Sequence, residues 1–137
     1  MIPKENMMAV LIKACPSFEP EWERFCDEWQ DDDSLSLYIS LGDFARHLIS
    51  LLNSGNIKSF SDVFDAIERL HVDGDEYVRK AATIGILENI QNITINSKAD
   101  PEQFCPFLQP ESRRWWNKLH YFWNTGKPLE EDCFLKQ

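Results

Sequence analysis

Apolar residues recur along most of the chain at intervals of three and four, the spacing of helices that bury one face, and period-two alternation is nearly absent. Phe18, Trp22, Phe25, Cys26 and Trp29 fall within an arc of about 100°. Glu21, Glu23, Arg24, Asp27 and Glu28 fill the remaining arc. Pro20 suits the first turn of such a helix, where no amide donor is needed. Trp22 and Trp29 are therefore expected to face the core, with the carboxylates facing water. A second helix starts at Leu37 with Leu41, Phe44, Ala45, Leu48 and Leu52 in register. Ser34 is its candidate cap, and Asn53-Ser54-Gly55 supplies a left-handed stop. A third begins near Ser59 or Ser61 and uses Phe60, Val63, Phe64, Ile67 and Leu70.

Asp73-Gly74-Asp75 then turns the chain, and Asp75 is placed to cap the next helix. From Glu76 to Ile93 the pattern changes. Val78, Ala82, Gly85 and Ile86 form one apolar side while Ile84, Leu87 and Ile90 lie on others. A helix apolar nearly all round belongs at the centre of a fold, and Ala81, Ala82 and Gly85 permit close backbone approach. Residues 94–110 read as irregular, with a short helical turn opening at Asp100-Pro101-Glu102. Pro110 begins the last long helix, whose stripe is Leu108, Trp115, Leu119, Phe122 and Trp123, and Asn124-Thr125-Gly126 ends it. The expectation is an all-α single domain over 1–137 with five or six helices, a core spanning about 18–126 and a loosely held tail, 127–137, in which Phe134 and Leu135 can dock. The spacing is compatible with an antiparallel bundle or a short HEAT-like α-solenoid stack, and no internal repeat distinguishes them.

Composition sharpens the choice of partners. The 137 residues are 43% hydrophobic and 12% aromatic, which fits one globular core rather than a disordered chain. The net charge of −9 argues against direct nucleic-acid binding and against an anionic membrane surface. Between Glu19 and Asp33 eight carboxylates meet one arginine, so most of the excess charge lies in one stretch. The apolar run from Met7 to Ile12 is too short for a membrane span, and the chain reads as soluble and cytoplasmic. Cys15, Cys26, Cys105 and Cys133 lack metal-type spacing and read mostly as buried thiols. Asn92-Ile93-Thr94 matches a glycosylation sequon but has no export context.

No catalytic constellation is present: there is no GxSxG, no phosphate-cradling glycine loop and no HExxH. His47, His71 and His120 fall on three helices and read as surface or boundary residues. Asp73-Gly74-Asp75-Glu76 fails the calcium-loop pattern, because Tyr77 and Val78 replace the required oxygens and glycine. No metal, cofactor or enzymatic activity is expected. Arg113-Arg114-Trp115-Trp116 reads as a solvated basic face beside a core stripe rather than a nucleic-acid site. Trp116 lies toward the stripe's edge and is a candidate aromatic anchor for an interface. The acidic run remains. Its carboxylates repel one another unless a basic neighbour, such as Arg113 and Arg114, or an external partner offsets them.

Two segments carry a resemblance: DVFDAIERLHVDGDEYVRKAATIGILENIQN, from Asp62 to Asn92, and FLQPESRRWWNKLHYFWNTG, from Phe107 to Gly126. Together they resemble a family of small uncharacterised bacterial all-helical proteins associated with polymorphic toxin loci as candidate immunity proteins. The first also resembles a HEAT or armadillo-type helical hairpin. The resemblance spans roughly residues 35–126 and implies no catalytic residues. It implies instead an immunity protein that neutralises a cognate toxin, as a monomer or weak homodimer. A basic nuclease domain is the partner that an acidic surface fits best. The surface expected to dock comprises Glu23, Asp27, Asp31, Asp32, Asp33, Asp73, Asp75 and Glu76, with Trp116 as anchor. The alternative is a general helical protein-interaction adaptor with no toxin partner.

Overall fold

The computed structural model describes residues 1–28 and 37–125, with side chains through Tyr121. It is all-α: the described residues contain no strand, only an isolated parallel bridge between Ile2 and Gly74. Seven α-helices are present among them: α1 Lys4–Ala14, α2 Glu19–Glu28, α3 Leu37–Asn53, α4 Phe60–Asp73, α5 Glu76–Lys80, α6 Glu88–Asn96 and α7 Pro110–Thr125. A π-helical segment, Ala81–Leu87, joins α5 to α6, so 76–96 is one continuous helix. Short 3-10 turns occupy Pro16–Phe18 and Pro101–Phe107.

That continuous helix is the centre, as its all-round apolar pattern requires. Val78, Ala81, Ala82, Thr83, Gly85, Ile86, Leu87 and Ile90 are all buried along it. α3 packs along the π segment and α6, while α4 packs on α5 and the π segment; α7 touches α4, the π segment and α6. Gly85 is where α3 comes closest: a Cβ there would lie 2.5 Å from Leu41 Cδ1 and 3.3 Å from Tyr38 Cδ1. Phe60, Phe64, Phe104 and Phe107 form an aromatic cluster between α4 and the Pro101–Phe107 turn, with Phe60 and Phe107 edge to face at 5.0 Å. Such T-shaped pairs use the ring quadrupole as well as buried area.

Several local signals act as expected. Asp75 Oδ1 accepts from the Val78 amide at 2.8 Å, capping α5, and Asp100 Oδ1 accepts from the Glu102 amide at 2.9 Å. Pro110 opens α7, and Gly55 takes the left-handed conformation, φ 76°, just beyond α3.

Three expectations are corrected. The core does not begin near residue 18: Met7, Met8 and Leu11 of α1 are buried against α4 and α5. The bond from the Ile2 amide to the Asp73 carbonyl, 2.6 Å, and the return from the Asp75 amide to the Ile2 carbonyl, 2.9 Å, fix the start of α1 to the α4–α5 turn. α1 and the split of the central helix bring the count above five or six. Cys26 is exposed rather than buried, because no element of the described residues covers that side of α2, whereas Cys15 and Cys105 are buried as expected. Trp29, Ser34, Phe122, Trp123, Cys133 and the 127–137 tail lie outside the residues whose side chains are described.

Candidate docking surface

α2 lies over the body rather than inside it. Its turn onto the fold is fixed by Phe18, which is buried edge to face against Phe44 of α3 at 5.1 Å. Beyond that turn none of its residues is fully buried; Trp22 and Phe25 stack at 5.5 Å and are half-buried. One face is therefore wet along the whole helix, and Glu23, Asp27 and Glu28 stand on it exposed. Among the described residues one carboxylate of α2 meets a basic side chain: Glu21 sits 3.8 Å from His47 Nδ1, while His47 Nε2 and the Ser17 hydroxyl share a hydrogen bond of 2.8 Å. Glu19, Glu23, Asp27 and Glu28 pair with no cation of the described residues.

The expected neutralisation by the basic face of α7 does not occur there. Arg114 pairs with Glu111 one turn away at 2.7 Å, and Arg113 donates to the Cys105 carbonyl at 3.2 Å. Both guanidinium groups are engaged in their own neighbourhood. The acidity of α2 is felt locally instead: the Cys26 thiol is pushed up, first by partial desolvation and then by the charges of Asp27 and Glu23. Glu19 and Glu21 stand in the first turn of α2, and its last described turn carries no base.

The other expected contacts separate into those that remain available and those already used. Asp73 and Glu76 are exposed, although Glu76 pairs with Lys80 at 3.6 Å. Asp75 is half-buried and its carboxylate is the α5 cap, so it is a scaffold group first. This turn adjoins the start of α1, which shares a groove with the middle of α2. Lys4 beside Glu5 stands 4.9 Å over the Tyr77 ring, Tyr77 meets Tyr38 of α3 at 5.9 Å, and Glu5 shares a groove with Glu23. Asp31, Asp32 and Asp33 lie outside the described residues.

Trp116 is not at an edge. It is 1% exposed, because α7 has α4 on one side and α6 with the π segment on the other, so adjacent Trp115 and Trp116 both point inward. Its carbonyl accepts from Gln91 Nε2 of α6 at 3.1 Å. As an aromatic anchor for a partner it is unreachable.

His71 is likewise corrected from a surface or boundary residue to a fully buried one. Its Nδ1 lies 3.0 Å from the Ile67 carbonyl and 3.1 Å from Ser112 Oγ, and its Nε2 lies 3.0 Å from Thr83 Oγ1. A carbonyl only accepts, so Nδ1 carries the proton and Nε2 accepts from Thr83. Burial holds the imidazole neutral, pushing its pKa down to about 4 despite the Ile67 carbonyl and the charges of Glu68 and Glu111. Ser112 in turn donates to Glu68 Oε1 at 2.8 Å, and Glu68 also accepts the amides of Ser112, 2.8 Å, and Glu111, 2.9 Å. Glu68 of α4 therefore caps α7 from across the fold. The segments ERLH and PES, which belong to the two resembling stretches, meet in this clamp; the motif encodes scaffold. No groups suited to hold a metal cluster together among the described residues, and the Cys105 thiol, hydrogen-bonded to Glu102 at 3.0 Å, is raised to about 11, chiefly by burial.

Sequence reasoning missed Glu5 and Glu19 as surface acids of interest. They line the groove between α1 and α2, and the signal for α1 was Met7, Met8 and Leu11 at helical spacing. No helix of the described residues is long and apolar enough to cross a membrane.

Residues 8–124 match the family model described as a domain of unknown function, DUF7674, and the chain belongs to that family. No curated protein matches the chain, and no solved structure matches it.

Proposed function

We propose that this member of the family is a non-enzymatic toxin-neutralising protein, an immunity protein that binds a basic toxin domain through the acidic face of α2. The observation that carries the reading is the exposed set Glu23, Asp27 and Glu28, like charges within two turns of one helix that pair with no cation of the described residues. A protein selected for stability alone gains nothing from that placement. A cationic partner makes it favourable, and the same charges speed encounter with such a partner. Nuclease domains supply a cationic surface because they are built to bind phosphates. The resemblance of the Asp62–Asn92 and Phe107–Gly126 segments to proteins of polymorphic toxin loci points the same way. Asp73 and Glu76, beside the start of α1, extend the surface; Asp75 and Trp116 do not belong to it.

The scaffold is read as an antiparallel bundle around the central helix, supported by α3, α4 and α7 each packing on that helix. The general adaptor remains the second reading, favoured by one observation: Glu68, His71, Asp75 and Ser112 of the resembling segments are structural, so they speak for a scaffold and not for a kind of partner.

The test is co-expression with the product of the gene immediately upstream. Rescue of cells from a toxin-like domain encoded there, with a stable complex on size exclusion, is the expected result. An upstream product that is harmless, or a toxin that is neither bound nor neutralised, refutes the toxin reading.

A further inference from the structure

The groove between α1 and α2 has a composition different from the rest of the acidic face. Its volume is about 590 Å³. Met8, buried, and Ile12 and Trp22, half-buried, form its apolar floor. Glu5, Glu19 and Glu23 line it from exposed positions, with Lys13 as a lining cation. None of these four charged groups is in an ion pair with another described residue.

The spacing along α2 sets the chemistry. Glu19, Trp22 and Glu23 stand at i, i+3 and i+4, so two carboxylates flank one indole on the same helix face. Like charges one turn apart repel, and among the described residues no cation, Lys13 included, pairs with Glu19 or Glu23. A planar guanidinium answers all three groups at once: its donors reach carboxylates in a fork geometry and its face lies on the indole. An ammonium offers the charge without the plane. The floor beside it, Met8 and Ile12, is one turn long on α1 and suits a single aliphatic side chain, with methionine free to adjust its rotamer.

We propose that the α1–α2 groove seats an arginine-bearing helix of a partner protein, its guanidinium between Glu19 and Glu23 over Trp22 and an aliphatic residue one turn away against Met8 and Ile12. This rests on reading the α2 surface as a docking face, but not on the partner being a toxin. It moves the centre of the contact from the outer acids, Asp27 and Glu28, to the α1 side of the helix.

The full-length chain is titrated with a synthetic alanine-based helical peptide carrying one Arg and one Leu four residues apart, and the Met8 and Ile12 methyl signals are followed by NMR. Two control peptides replace Arg by Lys or Leu by Ala. Saturable shifts at both methyls are expected with the Arg–Leu peptide, weaker binding with each control, and at least a tenfold loss of affinity in the E19Q/E23Q variant. A parallel D43N/E102Q variant removes as much charge at acids outside α1 and α2 and is expected to bind within about threefold of wild type. Three outcomes overturn the proposal: no saturable shift, equal binding of all three peptides, or equal losses in the two variants, which would mean diffuse electrostatics. No toxin enters this experiment. A groove that binds the peptide while the upstream product fails to bind removes the toxin reading alone; the converse removes the groove alone.

Discussion

Glu68→Ala is the most informative perturbation of the scaffold, because one side chain closes the α4–α7 contact. Its carboxylate accepts three hydrogen bonds: the Glu111 amide, the Ser112 amide and the Ser112 hydroxyl, all within 2.9 Å. The alanine variant leaves two amides of the first turn of α7 without their acceptor, a loss of about 0.5–2 kcal/mol by the measure of other helix caps. It also leaves the buried Ser112 hydroxyl to find a new acceptor beside His71, at about 1–3 kcal/mol. The two losses share one group and overlap, so the expected total is about 2–4 kcal/mol. Urea unfolding followed by tryptophan fluorescence reads this directly, since Trp115 and Trp116 lie on α7. With a urea slope of about 1–3 kcal/mol per molar, the midpoint drops by about 1–3 M at unchanged slope. Ser112→Ala in both backgrounds completes a double-mutant cycle, with a coupling of about 1 kcal/mol or more expected. A Glu68→Ala loss below about 0.5 kcal/mol, or a coupling near zero, would refute the clamp.

Three further predictions concern the core, the helix packing and the charge on α2. His71 binds its proton in the unfolded chain near 6.5 but in the fold only near 4, so the stability it contributes is complete above pH 6.5 and is lost as pH falls toward 4. The difference amounts to on the order of 3 kcal/mol; urea midpoints of His71→Gln must fall less steeply than those of wild type across that window, and parallel slopes refute the assignment. Gly85→Ala, a change that ordinarily favours a helix, is expected to destabilise by about 1–3 kcal/mol because the new methyl meets Leu41 Cδ1 at 2.5 Å, and a raised melting temperature would contradict the packing. In a C133S background the exposed Cys26 thiol should react severalfold faster with neutral iodoacetamide once E23Q/D27N removes the charges that oppose its ionisation, and an unchanged rate would show that α2 carries no strong local potential.

Most of the local structure was legible in residue order because its causes are local. Asp75, Asp100, Pro110 and Gly55 act through bonds or conformations within a few residues, and the all-round apolar pattern of 76–93 could only belong to a covered helix. What escaped depended on partners distant in sequence. His71 is a core residue only because Thr83, twelve positions on, and Ser112, forty-one on, supply its hydrogen bonds. Trp116 lies beside the stripe of α7, and the stripe does not say that a second helix covers that side. α2 shows the same limit in reverse: periodicity gave Cys26 an apolar neighbourhood, but no element of the described residues arrives to bury it. α1 was passed over because its short apolar run was weighed against a membrane span and not against a helix with one buried face. Of the candidate surface, exposure of Glu23 and Asp27 followed from the pattern, whereas the absence of relief from Arg113 and Arg114 required knowing that Glu111 and the Cys105 carbonyl take those groups first.

The claim on which the functional reading turns is that unrelieved charge on α2 drives capture of a cationic protein. Stopped-flow association with the upstream-encoded toxin domain measures it, comparing wild type with E23K/D27K at low and moderate salt. Charge-driven capture predicts a wild-type rate that falls steeply with salt, and a variant, folded by circular dichroism, whose low-salt rate is lower by about ten- to a hundredfold and nearly flat in salt. Equal rates and equal salt dependence for the two proteins would contradict it.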